Sequence, residues 1–151
     1  MANTQALCTS FKGELLTGTH NFGTGVVRAA TTADTFKAAL YLASATVNAS
    51  TTAYSSTGEV TGTNYTAGGA TVTNANAPAT SGTTAYWTPS ASISFSNVTL
   101  STAFDAVLIY NSSQSNKAVS VHTFGSQTVT AGTFTLTMPT NDSSTGLIRL
   151  A

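Results

Sequence analysis

The chain has 151 residues, of which 41% are hydrophobic and only 7% are charged, and five basic residues balance five acidic ones. A formal net charge of zero argues against a broad nucleic-acid interface, which needs clustered Lys and Arg, and against an electrostatic membrane anchor. The regular spacing of the hydrophobic residues argues against disorder, and no apolar run approaches the roughly 20 residues of a transmembrane helix. This length predicts a single domain with a sizeable core.

The surface is expected to be polar but almost uncharged, because Ser and Thr make up about a third of the chain. Thr suits β-strands, since its branched Cβ packs well on a pleated surface. A nearly uncharged protein also lacks the like-charge repulsion that keeps monomers apart. The composition therefore favours a subunit of an assembly, in which many copies lie side by side.

The N-terminal stretch TQALCTSFKGELLTG has helical spacing, with Leu7, Phe11 and Leu15 recurring every four residues. We expect a short helix that needs tertiary support or a partner to persist, with Cys8 as a small buried hydrophobic residue. No signal-peptide pattern follows. The sequence predicts an N-terminal helical arm and loop over residues 1–30, and a β body over residues 31–151. We expect the arm to pack either on the β body of its own chain or on a neighbouring subunit, and the hinge suggested by the glycines at 18, 23 and 25 favours the neighbouring subunit.

From Asp34 onward the hydrophobic period changes to two, which is typical of strands. Three segments are predicted to be strands on this pattern: FKAALYL, TAYW and GLIRL. A turn with positive φ is predicted at Gly68-Gly69. A β-bulge is predicted near Ser96-Asn97, because the alternation of apolar residues changes phase there.

The stretch AVLIYNSSQSNKAVSVHTFG predicts a β-hairpin whose tip is centred on Gln114. In this register Val107 faces Val121 and Ile109 faces Val119. The following QTVTAGTFTLTMP predicts a second hairpin with its turn at Ala131-Gly132. Together the segments predict a mainly β fold, an antiparallel β-sandwich or jelly roll of about eight strands with a short N-terminal helix.

Catalytic chemistry has little support in the sequence. His20 and His122 are the two histidines, and no Gly-x-Ser-x-Gly motif accompanies them. The acidic residues are scattered, Cys8 and His20 are a poor match to a zinc site, and the glycine-containing loops lack phosphate-binding spacing. We therefore expect no enzyme activity, no catalytic residues, no metal site and no cofactor.

Aromatic and apolar side chains are the remaining candidates for function. Tyr86-Trp87 could anchor an interface or stack on a sugar, although alternation along a strand buries one of two neighbours and exposes the other. The candidate interface residues are Leu7, Phe11, Leu15, Tyr86 and Trp87.

Four segments carry a resemblance to a known group of proteins: MANTQALCTSFKGELLTGTHNFG, FKAALYLAS, EVTGTNYTAGGATVTN and AVLIYNSSQSNKAVSVHTFGSQTVTAGTFTLTMP. They resemble small virion proteins of tailed bacteriophages, most of all the capsid decoration (cement) proteins of short-tailed phages. The resemblance implies a non-enzymatic protein that is made in the host cytoplasm and stabilises the capsid exterior. Its implied partners are the major capsid protein lattice and copies of itself, as a homo-oligomer, without direct contact to nucleic acid or membrane.

The alternative function is a β module of the neck, tail or head fibre that binds a host receptor or carbohydrate. It would use Tyr86, Trp87 or the NSSQSN tip of the hairpin. A hydrolase ranks third, because the ionisable residues are few and scattered.

Overall fold

The computed structural model describes residues 3–8, 10–11, 15, 19–20, 22 and 33–150. This part of the chain is mainly β, with two antiparallel sheets that share one hydrophobic core, an arrangement consistent with a β-sandwich. Its eight strands are β1 (Ala6–Leu7), β2 (Phe36–Leu42), β3 (Ala70–Thr71), β4 (Ala79–Ser81), β5 (Thr84–Trp87), β6 (Ile93–Asn111), β7 (Lys117–Leu136) and β8 (Ile148–Leu150). The five-stranded sheet has the order β1-β7-β6-β2-β3, and the three-stranded sheet has the order β4-β5-β8.

The β6–β7 hairpin is centred on Gln114, as predicted, but its register departs from the prediction after two pairs. Asn111 pairs with Lys117 and Tyr110 with Ala118, and beyond an irregularity Ile109 pairs with Ser120. Val107 accordingly pairs with His122 and not with Val121. The predicted facing pairs are wrong because one extra residue on β7 forms a bulge, which shifts the next pairs, as far as Ala106 with Thr123, by one. The four residues are nonetheless buried, as expected: Val107, Ile109, Val119 and Val121.

The predicted second hairpin does not form. β7 continues through Ala131-Gly132 and stays paired with β6 as far as the pair between Ile93 and Leu136. Ala131 has a φ of 45° and lies where the pairing shifts beside Val98, so the glycine accompanies an irregularity within a long strand. The bulge predicted near Ser96-Asn97 is confirmed, since the register shifts between Phe95 and Val98 and Asn97 has a φ of 54°.

β2 lies inside the five-stranded sheet, between β6 and β3. Both of its faces are covered, because Phe36, Ala38 and Leu40 are buried on one face while Ala39 and Tyr41 are buried on the other. The predicted strands FKAALYL, TAYW and GLIRL correspond to β2, β5 and β8. The turn predicted at Gly68-Gly69 is confirmed by φ values of 90° and 73°.

The N-terminal segment differs from the predicted helix at its start. Ala6 and Leu7 are extended and pair with Val121 and Ser120 of β7. Ser10, Phe11 and Leu15 have helical backbone, but their neighbours lie outside the described residues, and the predicted short helix is not seen as an element. Pairing with β7 gives residues 6 and 7 backbone hydrogen bonds that a short, marginal helix would have to supply alone. Leu7, Phe11 and Leu15 are therefore not one helical stripe.

Within the described residues, no helix has the length and hydrophobicity needed to cross a membrane.

Candidate functional site

An apolar groove lies between the N-terminal segment and the three-stranded sheet. Its cavity has a volume of about 140 Å³. The side chains that line it come from the N-terminal segment, the loop before β4, β5 and β8: Phe11, Leu15, Phe22, Pro78, Ala85, Tyr86, Trp87, Ile148 and Leu150. We call this the Trp87 groove. It unites four of the five candidate interface residues, whereas Leu7 lies elsewhere, in β1 at the edge of the larger sheet.

Strand alternation in β5 gives Tyr86 and Trp87 different environments. Trp87 is only 2% exposed, while Tyr86 is partly exposed. The Trp87 indole Nε1 donates a 2.9 Å hydrogen bond to the Asn76 carbonyl, and its ring packs 4.9 Å from Phe22 and 5.9 Å from Phe36, between centroids. Trp87 therefore forms the floor of the groove. Alternation was expected to bury one of these two neighbours, and the buried one is Trp87, because its ring packs against Phe36 of β2.

Phe11 also belongs to the core of its own chain. It has no exposed surface, and its ring meets His20 and Phe22 edge-on, with centroids 4.8 Å and 5.7 Å apart. Of the two packing partners expected for the arm, Phe11 therefore contacts its own chain, and its fully buried ring offers no surface to a neighbouring subunit. Leu15 is partly buried and lines the groove.

The rim of the groove is formed by less buried side chains. Leu150 is 39% exposed and is the one exposed large hydrophobic residue in the described part of the chain. It lies on β8, the edge strand of the smaller sheet, and pairs with Ala85. Leu15, Tyr86 and Leu150 therefore provide apolar surface that a partner could cover.

A buried polar cluster, which no pattern in the sequence indicated, contains His20, Asp34 and Asn111. Asn111 Nδ2 donates to Asp34 Oδ2 at 2.8 Å and lies 3.1 Å from His20 Nδ1, while Asn111 Oδ1 accepts from Ser113 N at 3.1 Å. Because the amide oxygen is taken by a backbone donor, the amide nitrogen faces both partners, and His20 Nδ1 acts as the acceptor. This cluster ties residues 20, 34 and 111 together.

A second buried polar cluster surrounds Glu59. Its carboxylate accepts hydrogen bonds from the Tyr54 hydroxyl at 2.7 Å, the Tyr65 hydroxyl at 2.8 Å and Gly68 N at 2.8 Å. Burial, together with Glu59, holds the pKa of Tyr54 and Tyr65 above the usual range, so both phenols stay protonated donors. Glu59 thus connects Tyr54, Tyr65 and Gly68 through hydrogen bonds to one side chain.

Ser120 and His122 form a pair that the sequence analysis missed. The Ser120 hydroxyl lies 2.9 Å from His122 Nε2, and burial lowers the pKa of His122 to about 4. Their spacing of two residues along a strand, which puts both on one face, is the signal that could have found them. Ser120 is only 1% exposed, and Asp105 instead accepts a 2.6 Å hydrogen bond from Asn3 Nδ2. The pair therefore lacks an accessible nucleophile and an orienting carboxylate within the described residues.

Among the residues that the structure describes, no three His, Cys, Asp or Glu side chains come together in a metal-binding cluster. Cys8 is buried and not in a disulfide.

Comparison with known proteins identifies no family, since no family model, curated protein or solved structure matches the chain.

Proposed function

We propose that the protein is a non-enzymatic structural component of a tailed-phage virion. In this role it decorates the capsid exterior, as a jelly-roll or sandwich body, and stabilises it by binding the lattice of the major capsid protein. Two kinds of observation support the proposal: the resemblance of four sequence segments to small phage virion proteins, and an apolar surface that a partner can cover.

The observation that carries the proposal is the Trp87 groove on an almost uncharged protein. Its rim exposes Leu15, Tyr86 and Leu150, while its floor is fixed by Trp87. An apolar groove with a partly exposed aromatic side chain at its rim is a good docking site for apolar side chains of a partner. Zero net charge lets many copies bind close together without mutual repulsion.

Stabilising a capsid requires buried area and repetition, and it requires no chemistry. Each contact can be modest, because a symmetric lattice presents the same site many times and linked contacts gain avidity. A rigid β scaffold suits this role, since little conformational entropy is lost when it docks.

The test uses capsids of the encoding phage that lack this protein. Purified wild-type protein should bind them to saturation in hundreds of copies per particle, counted by quantitative mass spectrometry. The Leu150→Asp variant should bind at least about tenfold more weakly, because a charge at the rim would be desolvated on docking. Thr80→Asp places the same charge on exposed β4 of the same sheet and should bind like wild type. Failure of folded wild-type protein to bind would overturn the proposal.

A receptor- or carbohydrate-binding module is the second candidate, favoured by the partly exposed ring of Tyr86 beside the groove. It predicts a few copies per particle and a specific glycan-array signal that Tyr86→Ala abolishes.

A further inference from the structure

One side of β7 is open over most of its length. β6 pairs with β7 from Lys117 to Leu136, but β1 covers the other side only at Ser120 and Val121, where Cys8 N also donates to the Val119 carbonyl. From His122 to Leu136 no strand of the described chain pairs with that side. We call this stretch the open β7 edge. Such an edge presents unpaired N–H and C=O groups that are a template for another strand.

The open β7 edge lacks charged residues and prolines, two features by which edge strands avoid pairing with other strands. Between Lys117 and Pro139 the sequence contains neither a charged residue nor a proline. Charged side chains and prolines on an edge strand repel or cannot hydrogen-bond an incoming strand. The irregularity at Ala131 twists the strand locally but adds no charge.

The two faces beside this edge differ sharply. Partly buried Phe124, Phe134, Leu136 and Met138 line a groove of about 330 Å³ together with His122. Exposed Thr side chains at 128, 130 and 133 do not line the groove and form the other face. A strand that extends the sheet here would need the same alternation, with apolar side chains over the groove and polar side chains on the Thr face.

We propose that the open β7 edge is a self-association surface, on which β7 of a second copy adds antiparallel to extend the sheet. β7 itself has the alternation that the site requires. A two-fold axis perpendicular to the sheet brings two such edges together antiparallel and keeps each face on its own side, so both grooves join into one apolar face. The absence of charge along the edge removes like-charge repulsion between the copies. The inference goes beyond the capsid role and does not require it.

The experiment uses the purified full chain without capsids. Sedimentation velocity across a concentration series should show a monomer–dimer equilibrium for the wild type. Hydrogen exchange should show amides within residues 122–136 protected at least about tenfold more in the dimer than in the diluted monomer, because new backbone hydrogen bonds form there.

Thr130→Lys should raise the dimer dissociation constant at least about tenfold, since the two-fold axis brings the two added charges close together. Ser96→Lys is the matched control, because Ser96 is an exposed residue of β6, one strand further from the edge. Its dissociation constant should stay within about threefold of wild type, given a screening length of about 8 Å in physiological salt.

A wild-type protein that stays monomeric at millimolar concentration would overturn the proposal. So would a dimer whose exchange at residues 122–136 does not change on dilution, which needs no variant to detect. Protection of these amides by added capsids alone would assign the edge to a capsid segment and overturn self-association. Because the dimer assay contains no capsid, its failure leaves the capsid-binding proposal standing.

Discussion

The hydroxyl of Tyr65 donates a 2.8 Å hydrogen bond to Oε1 of Glu59, a carboxylate that is only 6% exposed. The same hydroxyl accepts a 3.0 Å hydrogen bond from Leu40 N of β2. Tyr65 therefore connects the central sheet to a buried acidic group, and it does so through one oxygen atom.

Removing that oxygen should destabilise the fold. Tyr65→Phe removes the acceptor of Leu40 N and one of the two donors to Glu59 Oε1, which keeps only Gly68 N. We therefore expect a loss of about 1.5–3 kcal/mol in the free energy of unfolding. Urea denaturation provides the measurement. Tyr86→Phe is the matched control and should change stability by less than about 0.5 kcal/mol, since the Tyr86 hydroxyl has no hydrogen bond to the described part of the chain. Equal effects of the two variants would contradict the assigned role of Tyr65.

Two truncations of different size at Ile109 test whether the β6–β7 hairpin lies in the core. Ile109 is 1% exposed and pairs with Ser120. Ile109→Val should cost about 0.5–1.5 kcal/mol and Ile109→Ala about 2–4 kcal/mol, because each removed methyl group leaves part of a cavity. Chemical denaturation of both variants measures the series. A cost below about 1 kcal/mol for Ile109→Ala would show that this strand is not central.

Several elements could be predicted because their signals are local. β2, β5 and β8 follow from alternation, and the bulge at Asn97 follows from a phase slip within one strand. The tip at Gln114 follows from two apolar runs around a polar segment. The extra residue near Val119 has no such signal, because Val119, Val121 and Thr123 alternate with other residues without a phase slip. The register beyond it therefore could not be predicted.

Four residues of the candidate site were predicted from the sequence, but their association in one groove was not. Phe11 and Leu15 were singled out by helical spacing, and Tyr86 and Trp87 as aromatic neighbours on a strand, but nothing in the sequence indicated that the two pairs meet in one groove. Alternation requires that one of Tyr86 and Trp87 be buried, yet only the packing of the smaller sheet on Phe36 decides that it is Trp87. The Asn111 cluster joins residues 77 and 91 positions apart, and the Glu59 cluster depends on how the chain around Glu59 folds back on itself. Periodicity records neither kind of contact.

The role of the N-terminal segment can be decided by comparing a floor residue with a rim residue of the Trp87 groove. Phe11 has no exposed surface, so Phe11→Ala should cost about 3–5 kcal/mol and Phe11→Asp should prevent stable folding of the monomer. Leu150 is 39% exposed, and Leu150→Asp should change stability by less than about 1 kcal/mol. Thermal and urea unfolding measure both. If Phe11→Ala costs less than about 1 kcal/mol, the N-terminal segment is not part of the core.

The pH dependence of stability should carry a signature of His122. Burial lowers its pKa from 6.5 to about 4 in the folded protein. Between these two values the unfolded state binds a proton that the folded state does not, so the free energy of unfolding falls as the pH falls, by up to about 1.4 kcal/mol per pH unit. Well above pH 6.5 both states are neutral at this residue, and its contribution to the slope disappears.

His122→Gln isolates this contribution, because glutamine keeps a side-chain hydrogen-bonding group near Ser120 and cannot titrate. Unfolding free energies of wild type and variant should be measured by urea denaturation at intervals from pH 8 to about 4. The two curves should run parallel well above pH 6.5 and separate as the pH falls, with the wild type losing stability relative to the variant down to pH about 4. Because the other titrating groups are common to both proteins, they cancel in the difference. Curves that stay parallel over the whole range would mean that folded His122 titrates like an exposed histidine and that its ring is not desolvated beside Ser120.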